Sequence, residues 1–259
     1  MDNFPLVSII TVVFNNKNSI QDAIDSVLSQ DYTNIEYIVI DGGSDDGTVN
    51  IINSNLHNIS IFKSKPDNGV YDALNKGLKY ASGEIIGVLH SDDKYTSSRV
   101  ISSSVNQMIE TKSEIVFSDV VIINPHSNKI LRYYRANYFR EWLLNVGWMP
   151  PHPSCFVNKS LFDYTNGYST DFKIASDFDF FVKIFHEREV KWTYLNQLSV
   201  IMMQGGLSNS GYKSAIMIIK EVRQSLRSNK IWAPYIFQSM RYFIRLFEMI
   251  IRPSKDKLL

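Results

Sequence analysis

Cysteine is nearly absent from this chain. Cys155 is the only one in 259 residues, which excludes a disulfide framework and a cysteine-based zinc site and fits a reducing compartment. No run of about 18 uncharged apolar residues occurs, so a membrane-spanning helix is not expected. The opening residues Met1-Asp2-Asn3-Phe4-Pro5 lack a basic stretch and do not read as a secretory signal. Internal repeats and low-complexity segments are also missing. No Gly-x-Gly-x-x-Gly turn follows the first apolar run. Phe14-Asn15-Asn16-Lys17 stands there instead, which argues against a nicotinamide-dependent oxidoreductase.

What is present is an ordinary globular composition, 44% hydrophobic and 20% charged, long enough for one large domain with an appendage. The net charge of +1 conceals an asymmetry. Residues 1–212 hold 17 Lys+Arg against 23 Asp+Glu, whereas residues 213–259 hold 10 against 3. A basic tail on an acidic body points to an anionic partner for the tail. Its basic residues accompany an apolar helix face instead of a flat polar patch, so nucleic acid is not the expected partner.

The first 120 residues alternate strand and helix. Val7–Val13 is a β-branched run without charge, as expected for a strand covered on both faces. Ile20, Ala23, Ile24, Val27 and Leu28 then follow the helical period. Further strands are expected at 35–40, 59–62, 84–89 and 114–119, with helices between them. This alternation predicts an α/β fold built on a mostly parallel, doubly wound, Rossmann-like sheet. Residues 120–135 read as a hairpin, 178–187 as a helix, and 213–252 as two helices separated near Pro234.

Ligands on open α/β sheets bind beyond the carboxyl ends of the strands. Polar residues gather at those ends here: Phe14-Asn15 after the first strand, Asp41 after the second, Lys65-Pro66-Asp67 after the third and Asp92-Asp93 after the fourth. One such aspartate would be an ordinary turn residue. Three delivered to one edge repel one another unless a cation or hydrogen-bond donors compensate them. A hard divalent ion held by carboxylate and substrate phosphates would do so.

On these residues the chain resembles the family 2 glycosyltransferases with the GT-A fold, and within them a branch that builds bacterial surface polysaccharide (O-antigen, capsule or exopolysaccharide). The matching segments are Phe14-Asn15, Ile40-Asp41-Gly42-Gly43-Ser44-Asp45-Asp46-Gly47-Thr48, the run from Pro66 to Gly77, Ser91-Asp92-Asp93 and Ala175-Ser176-Asp177-Phe178-Asp179. The resemblance covers about 210 residues, and its five motifs stand in the family's order. It implies a nucleotide-sugar-binding half over 1–120, an acceptor-binding, catalytic half over 121–212, and a basic amphipathic tail over 213–259. Phe14 would stack on the nucleobase and Asp41 would accept a hydrogen bond from it. Asn15, Asp67 and Lys76 would line the donor site, and Asp92 would contact ribose or donor sugar. Asp93 would bind Mg²⁺ or Mn²⁺, and Asp177 would deprotonate the acceptor. Inversion at the anomeric carbon, a UDP-linked donor and a lipid-diphosphate-linked saccharide acceptor also follow from the resemblance.

The chain departs from the family pattern at Ser176, where a Glu is usual. That leaves Asp177 against Asp179 open, since residues two apart on a helix face different ways. Asp45-Asp46-Gly47 reads as a turn and cap, and Asp72 and Asn75 as capping and packing residues. His152, in a proline-rich loop, is as much a candidate site residue as a structural one. The other histidines lack metal-ligand spacing. Cys155 reads as a buried small side chain. Gly205-Gly206-Leu207-Ser208 reads as a loop closing over the donor.

In residues 235–252 the charges Arg241, Arg245, Glu248 and Arg252 share one narrow stripe on an otherwise apolar helix. That pattern suits a helix lying in a lipid headgroup region, or one docked on the body or on a second copy in a homodimer. The expected location is the cytoplasm, peripheral on the inner face of the bacterial plasma membrane.

Overall fold

The computed structural model describes residues 4–205 and 212–232, together with Leu246, Glu248 and Met249. Nine strands form one sheet in the order β3-β2-β1-β4-β8-β6-β9-β5, with β7 paired to β6. Strands β1 (Val7–Val13), β2 (Ile35–Asp41), β3 (Ile61–Ser64) and β4 (Ile85–Val88) are mutually parallel. Alternate residues of β1 enter different cores: Ile10 and Val12 join one apolar cluster, while Val7, Ile9 and Val13 join the other. Helix α3 (Val70–Tyr80) covers the first face, whereas α1 (Ile20–Leu28) and α4 (Val100–Thr111) cover the second. This is the doubly wound α/β arrangement that the alternation predicts. Helix α2 (Thr48–Ser54) completes the crossover between β2 and β3. Helix α3 lies close on β1, because a Cβ at Gly77 would stand 2.5 Å from Ile10.

The far side of the sheet is mixed. Strand β6 (Ile115–Ile123) is one unbroken strand where two segments were expected, and it turns back into β7 (Ile130–Tyr134) as the predicted hairpin. Strands β8 (Phe156–Asn158) and β9 (Trp192–Met203) flank β6, the first antiparallel and the second parallel. Helix α5 (Lys159–Thr165) follows β8, and α6 (Ser176–Glu187) carries the second acidic motif.

Two further elements differ from the sequence expectation. The third strand pairs over Ile61–Ser64 instead of 59–62, because its ladder with β2 begins only at Ile38↔Ile61. Ile59 is buried ahead of the ladder, so its apolar character marks core and not strand. A strand of three residues, β5 (Asp93–Tyr95), pairs antiparallel with β9 and begins at the acidic motif itself.

Helix α7 (Tyr212–Ser228) places Ile218, Val222 and Leu226 in the larger core, so the first part of the predicted tail is integral to the body. Among the described residues no helix is long and apolar enough to cross a membrane.

Candidate active site

A cavity of about 1080 Å³ opens where the carboxyl ends of β1 and β4 meet the loop before α6. From the first half of the chain it is lined by Phe14, Asn15, Asp67, Asp92 and Asp93, and from the second by His152 and Asp177. Parallel strands bring the first group to one edge, while His152 comes from the loop before β8 and Asp177 from the start of α6.

The loop after β1 is knitted to the loop after β2. Asn15 takes φ 48°, its N–H donates to Ser44 Oγ (2.8 Å), and its Oδ1 accepts from the Asp45 N–H (2.9 Å). Asp46 Oδ1 accepts from the Thr48 N–H and hydroxyl, the turn-and-cap role predicted for that acidic pair. The result presents Phe14 to solvent at 63% exposure, which is high for a large apolar ring. Beside it a Cβ on Gly42 would come within 2.5 Å of Asp67 Oδ2 and 3.4 Å of the Phe14 ring. Glycine therefore keeps open a slot bounded by an aromatic face and a carboxylate.

Asp41 and Lys76 do not line this cavity. Asp41 is fully buried, and its carboxylate accepts from the Gly43 and Ser44 N–H groups and from the Ser44 and Ser64 hydroxyls. The structure places it as the organiser of the 42–44 turn. Lys76 pairs with Asp72 at 3.0 Å and donates to the Pro66 carbonyl, bracing the segment that carries Asp67. Asp72 caps through the Asn68 N–H, and Asn75 exchanges two hydrogen bonds with the Tyr168 backbone, the packing roles predicted for them.

Asp93 is 2% exposed, and its Oδ2 has no hydrogen-bond partner among the described residues. Burial first, and the charge of Asp92 second, push its carboxyl well above the usual range. A buried carboxylate oxygen with no donor is costly unless something cationic meets it. Among the described residues no three His, Cys, Asp or Glu side chains form a closed cage. One carboxylate, with Asp92 beside it and room for phosphate oxygens, suits the way Mg²⁺ or Mn²⁺ is bound together with a substrate.

Across the cavity, α6 begins at Ser176, so Asp177 and Asp179 both lie in its first turn, where carboxylates favour the helix dipole. Their surroundings separate them. Asp179 is buried away from the cavity, paired with Lys183 (2.7 Å), Ser225 Oγ (2.8 Å) and Asn229 Nδ2 (3.2 Å). Asp177 faces the cavity, its Oδ1 accepting from the Phe178 N–H (2.9 Å) and lying 3.1 Å from the Tyr71 hydroxyl. That hydroxyl also donates to the Ile174 carbonyl at 2.6 Å. Burial and the Asp177 charge hold the Tyr71 phenol well above its ordinary value.

His152 lines the cavity with its Nε2 2.7 Å from the Tyr168 hydroxyl, and burial lowers its pKa to about 3. It is therefore neutral at physiological pH. His90, set aside on sequence for want of metal spacing, lines the same cavity, its ring centroid 6.2 Å from that of His152. Gln204 and Gly205 reach the cavity, while the remainder of the Gly205–Ser208 loop lies outside the described residues. Cys155 is buried as expected.

Fold and cavity together define an α/β domain whose site is shared between two halves of one sheet. The chain belongs to glycosyl transferase family 2, whose pattern matches residues 8–184. A glycosyltransferase of Mycobacterium tuberculosis is 33% identical over 187 residues, 71% of this chain and 70% of that protein. The hyaluronan synthase of Pasteurella multocida is 29% identical over 203 residues, 76% of this chain but only 20% of that longer protein. Among solved structures, the Staphylococcus aureus TarS segment 1–349 in complex with UDP-GlcNAc shares the fold with a TM-score of 0.67 at 16% identity. That match covers 85% of this chain and 66% of the TarS segment.

Proposed function

We propose that this glycosyltransferase is a metal-dependent, inverting enzyme. It moves a hexose or N-acetylhexosamine from a UDP-linked donor to a saccharide carried on a lipid diphosphate, in the assembly of bacterial surface polysaccharide. The observation that carries this reading is one cavity lined by an exposed aromatic ring, by Asp93 with a buried oxygen that has no hydrogen-bond partner among the described residues, and by Asp177. The UDP-GlcNAc complex of TarS supports the choice of nucleotide, and the hyaluronan synthase supports a polysaccharide product.

In this reading Phe14 stacks on the base and Asp67 and Asp92 hold the ribose and sugar. Asp93, with Asp92 beside it, holds Mg²⁺ or Mn²⁺, which when bound neutralises charge on the diphosphate. Asp177 accepts the proton of the acceptor hydroxyl as that oxygen bonds to the anomeric carbon. The bond from that carbon to the diphosphate oxygen breaks, and the nucleoside diphosphate leaves with the electron pair. A single displacement inverts the anomeric centre. A neutral His152 adds no charge to the acceptor side, so it serves there as a hydrogen-bonding wall. The test is a screen of nucleotide sugars for enzyme-dependent release of nucleoside diphosphate, with UDP sugars expected to respond. No release with any donor would favour a non-catalytic sugar-nucleotide-binding module of the same fold.

The tail is the proposed membrane contact, on the inner face of the plasma membrane. Most of residues 233–259 lie outside the described set, but three positions inform the proposal. Glu248, a member of the charged stripe, is 3% exposed and bonded to Arg132, Tyr138 and Trp148 of the body. Leu246 and Met249 are 54% and 48% exposed. A carboxylate is poorly suited to an anionic surface and finds arginine on the protein, which leaves apolar side chains outward. Each basic residue near such a surface adds about 1 kcal/mol, screened by salt, and buried apolar side chains add a salt-resistant part. The full chain is therefore expected to float with anionic liposomes, only partly released by high salt, while a chain ending after Asn229 stays in solution. If both stay in solution, the exposed apolar positions belong to a homodimer contact instead.

A further inference from the structure

No side chain caps α6 from its N-cap position. Ala175 holds that position and offers no side-chain oxygen. A carboxylate arrives from elsewhere. Glu221, on α7 and 8% exposed, accepts the Lys173 N–H at Oε1 (2.9 Å) and the Ile174 and Ala175 N–H groups at Oε2 (2.8 and 3.0 Å). Three charge-assisted bonds to consecutive amides fix a peptide segment more firmly than ordinary loop contacts.

That segment is the one on which Asp177 hangs. The Ile174 peptide is held on its N–H side by Glu221 and on its carbonyl side by the Tyr71 hydroxyl, and the same hydroxyl lies 3.1 Å from Asp177. One turn further along α7, Ser225 holds Asp179, and Asn229 beyond it does the same. Helix α7 therefore grips the start of α6 on the side away from the cavity, and Asp177 is left facing it. Glu221 does not line the cavity, whereas its neighbours Ile218 and Val222 do.

We propose that Glu221 is a positioning residue for sugar transfer: through the 173–175 backbone it sets the place of the Asp177 carboxylate, and it acts on transfer and not on nucleotide binding. This rests on the reading of Asp177 as the base. The donor half, built on β1 to β4, makes no use of Glu221, so the two functions are separable.

The test is a double-mutant cycle in the full chain with Glu221→Gln and Asp177→Asn. UDP binding is followed by calorimetry, and transfer is followed with the donor found by the nucleotide-sugar screen. Glutamine keeps the length but offers one acceptor oxygen in place of two. Glu221→Gln is expected to bind UDP within about twofold of the parent and to lose about ten- to a hundredfold in kcat, as for a catalytic group displaced by a fraction of its reach. On the Asp177→Asn background the same change should cost less than about twofold. Glu221→Asp, which keeps the charge one methylene back, should fall between. An equal loss on both backgrounds, a folded variant with the parent kcat, or joint loss of UDP binding and transfer in both Glu221 variants would each overturn the proposal. Full activity in Asp177→Asn alone would instead refute the base assignment.

Discussion

Asp177→Asn is expected to bind nucleotide as the parent does and to slow transfer by roughly two to four powers of ten, the usual contribution of a positioned general base. That corresponds to about 3–5 kcal/mol of barrier. The amide keeps the size of the side chain and its acceptor oxygen for the Phe178 N–H, so the helix start should stand. What it loses is the ability to take a proton. Asp179→Asn is the matched control. Asp179 is buried against Lys183, Ser225 and Asn229 on the α7 side, so its loss should appear as a lower melting temperature with kcat little changed in the folded fraction. Steady-state kinetics and a thermal melt on both variants separate the two roles. If Asp179→Asn gives the catalytic loss and Asp177→Asn does not, the base has been placed on the wrong member of the motif.

The two aspartates also show where sequence reading stops. Two acidic residues in the first turn of a helix look alike in a string. Only the packing of α7, more than 30 residues later in the chain, decides which one is enclosed. The nearer elements were legible for the opposite reason. Buried parallel strands announce themselves as β-branched runs, and a strand end followed by Asp and Gly marks the ligand edge from local pattern alone. Phe14, Asn15, Asp67, Asp92, Asp93, His152 and Asp177, picked from motifs, do share one cavity. Asp41 and Lys76 came from equally good motifs, yet neighbouring hydroxyl, amide and carboxylate groups engage them outside it. Glu221 had no motif at all. A glutamate on an amphipathic helix reads as a solvated face until the amides of another element are placed against it. The three residues of β5 are too short to carry a period and form only because β9 passes alongside.

Asp93→Ala is expected to abolish turnover, and the parent enzyme should fall silent in EDTA and recover with Mg²⁺ or Mn²⁺. The protein itself carries an electrostatic imbalance at this site. Asp93 is enclosed, its Oδ2 is unpartnered among the described residues, and Asp92 adds a second negative charge beside it. Such an arrangement raises the affinity of that oxygen for any cation, and the proton and the metal then compete for it. The proton should win as pH falls, so the metal concentration needed for half-maximal activity is expected to rise toward acid pH. Asp93→Asn tests the same point with little change in shape: removing the charge should relieve the electrostatic strain and leave the fold at least as stable, while transfer is lost. Stability and activity would thus move in different directions, which distinguishes a metal-binding carboxylate from a structural one. The measurements are nucleoside diphosphate release across a metal titration at several pH values, with a thermal melt of each variant. Full activity of the parent in EDTA, or of Asp93→Asn with metal present, would remove the divalent ion from the mechanism.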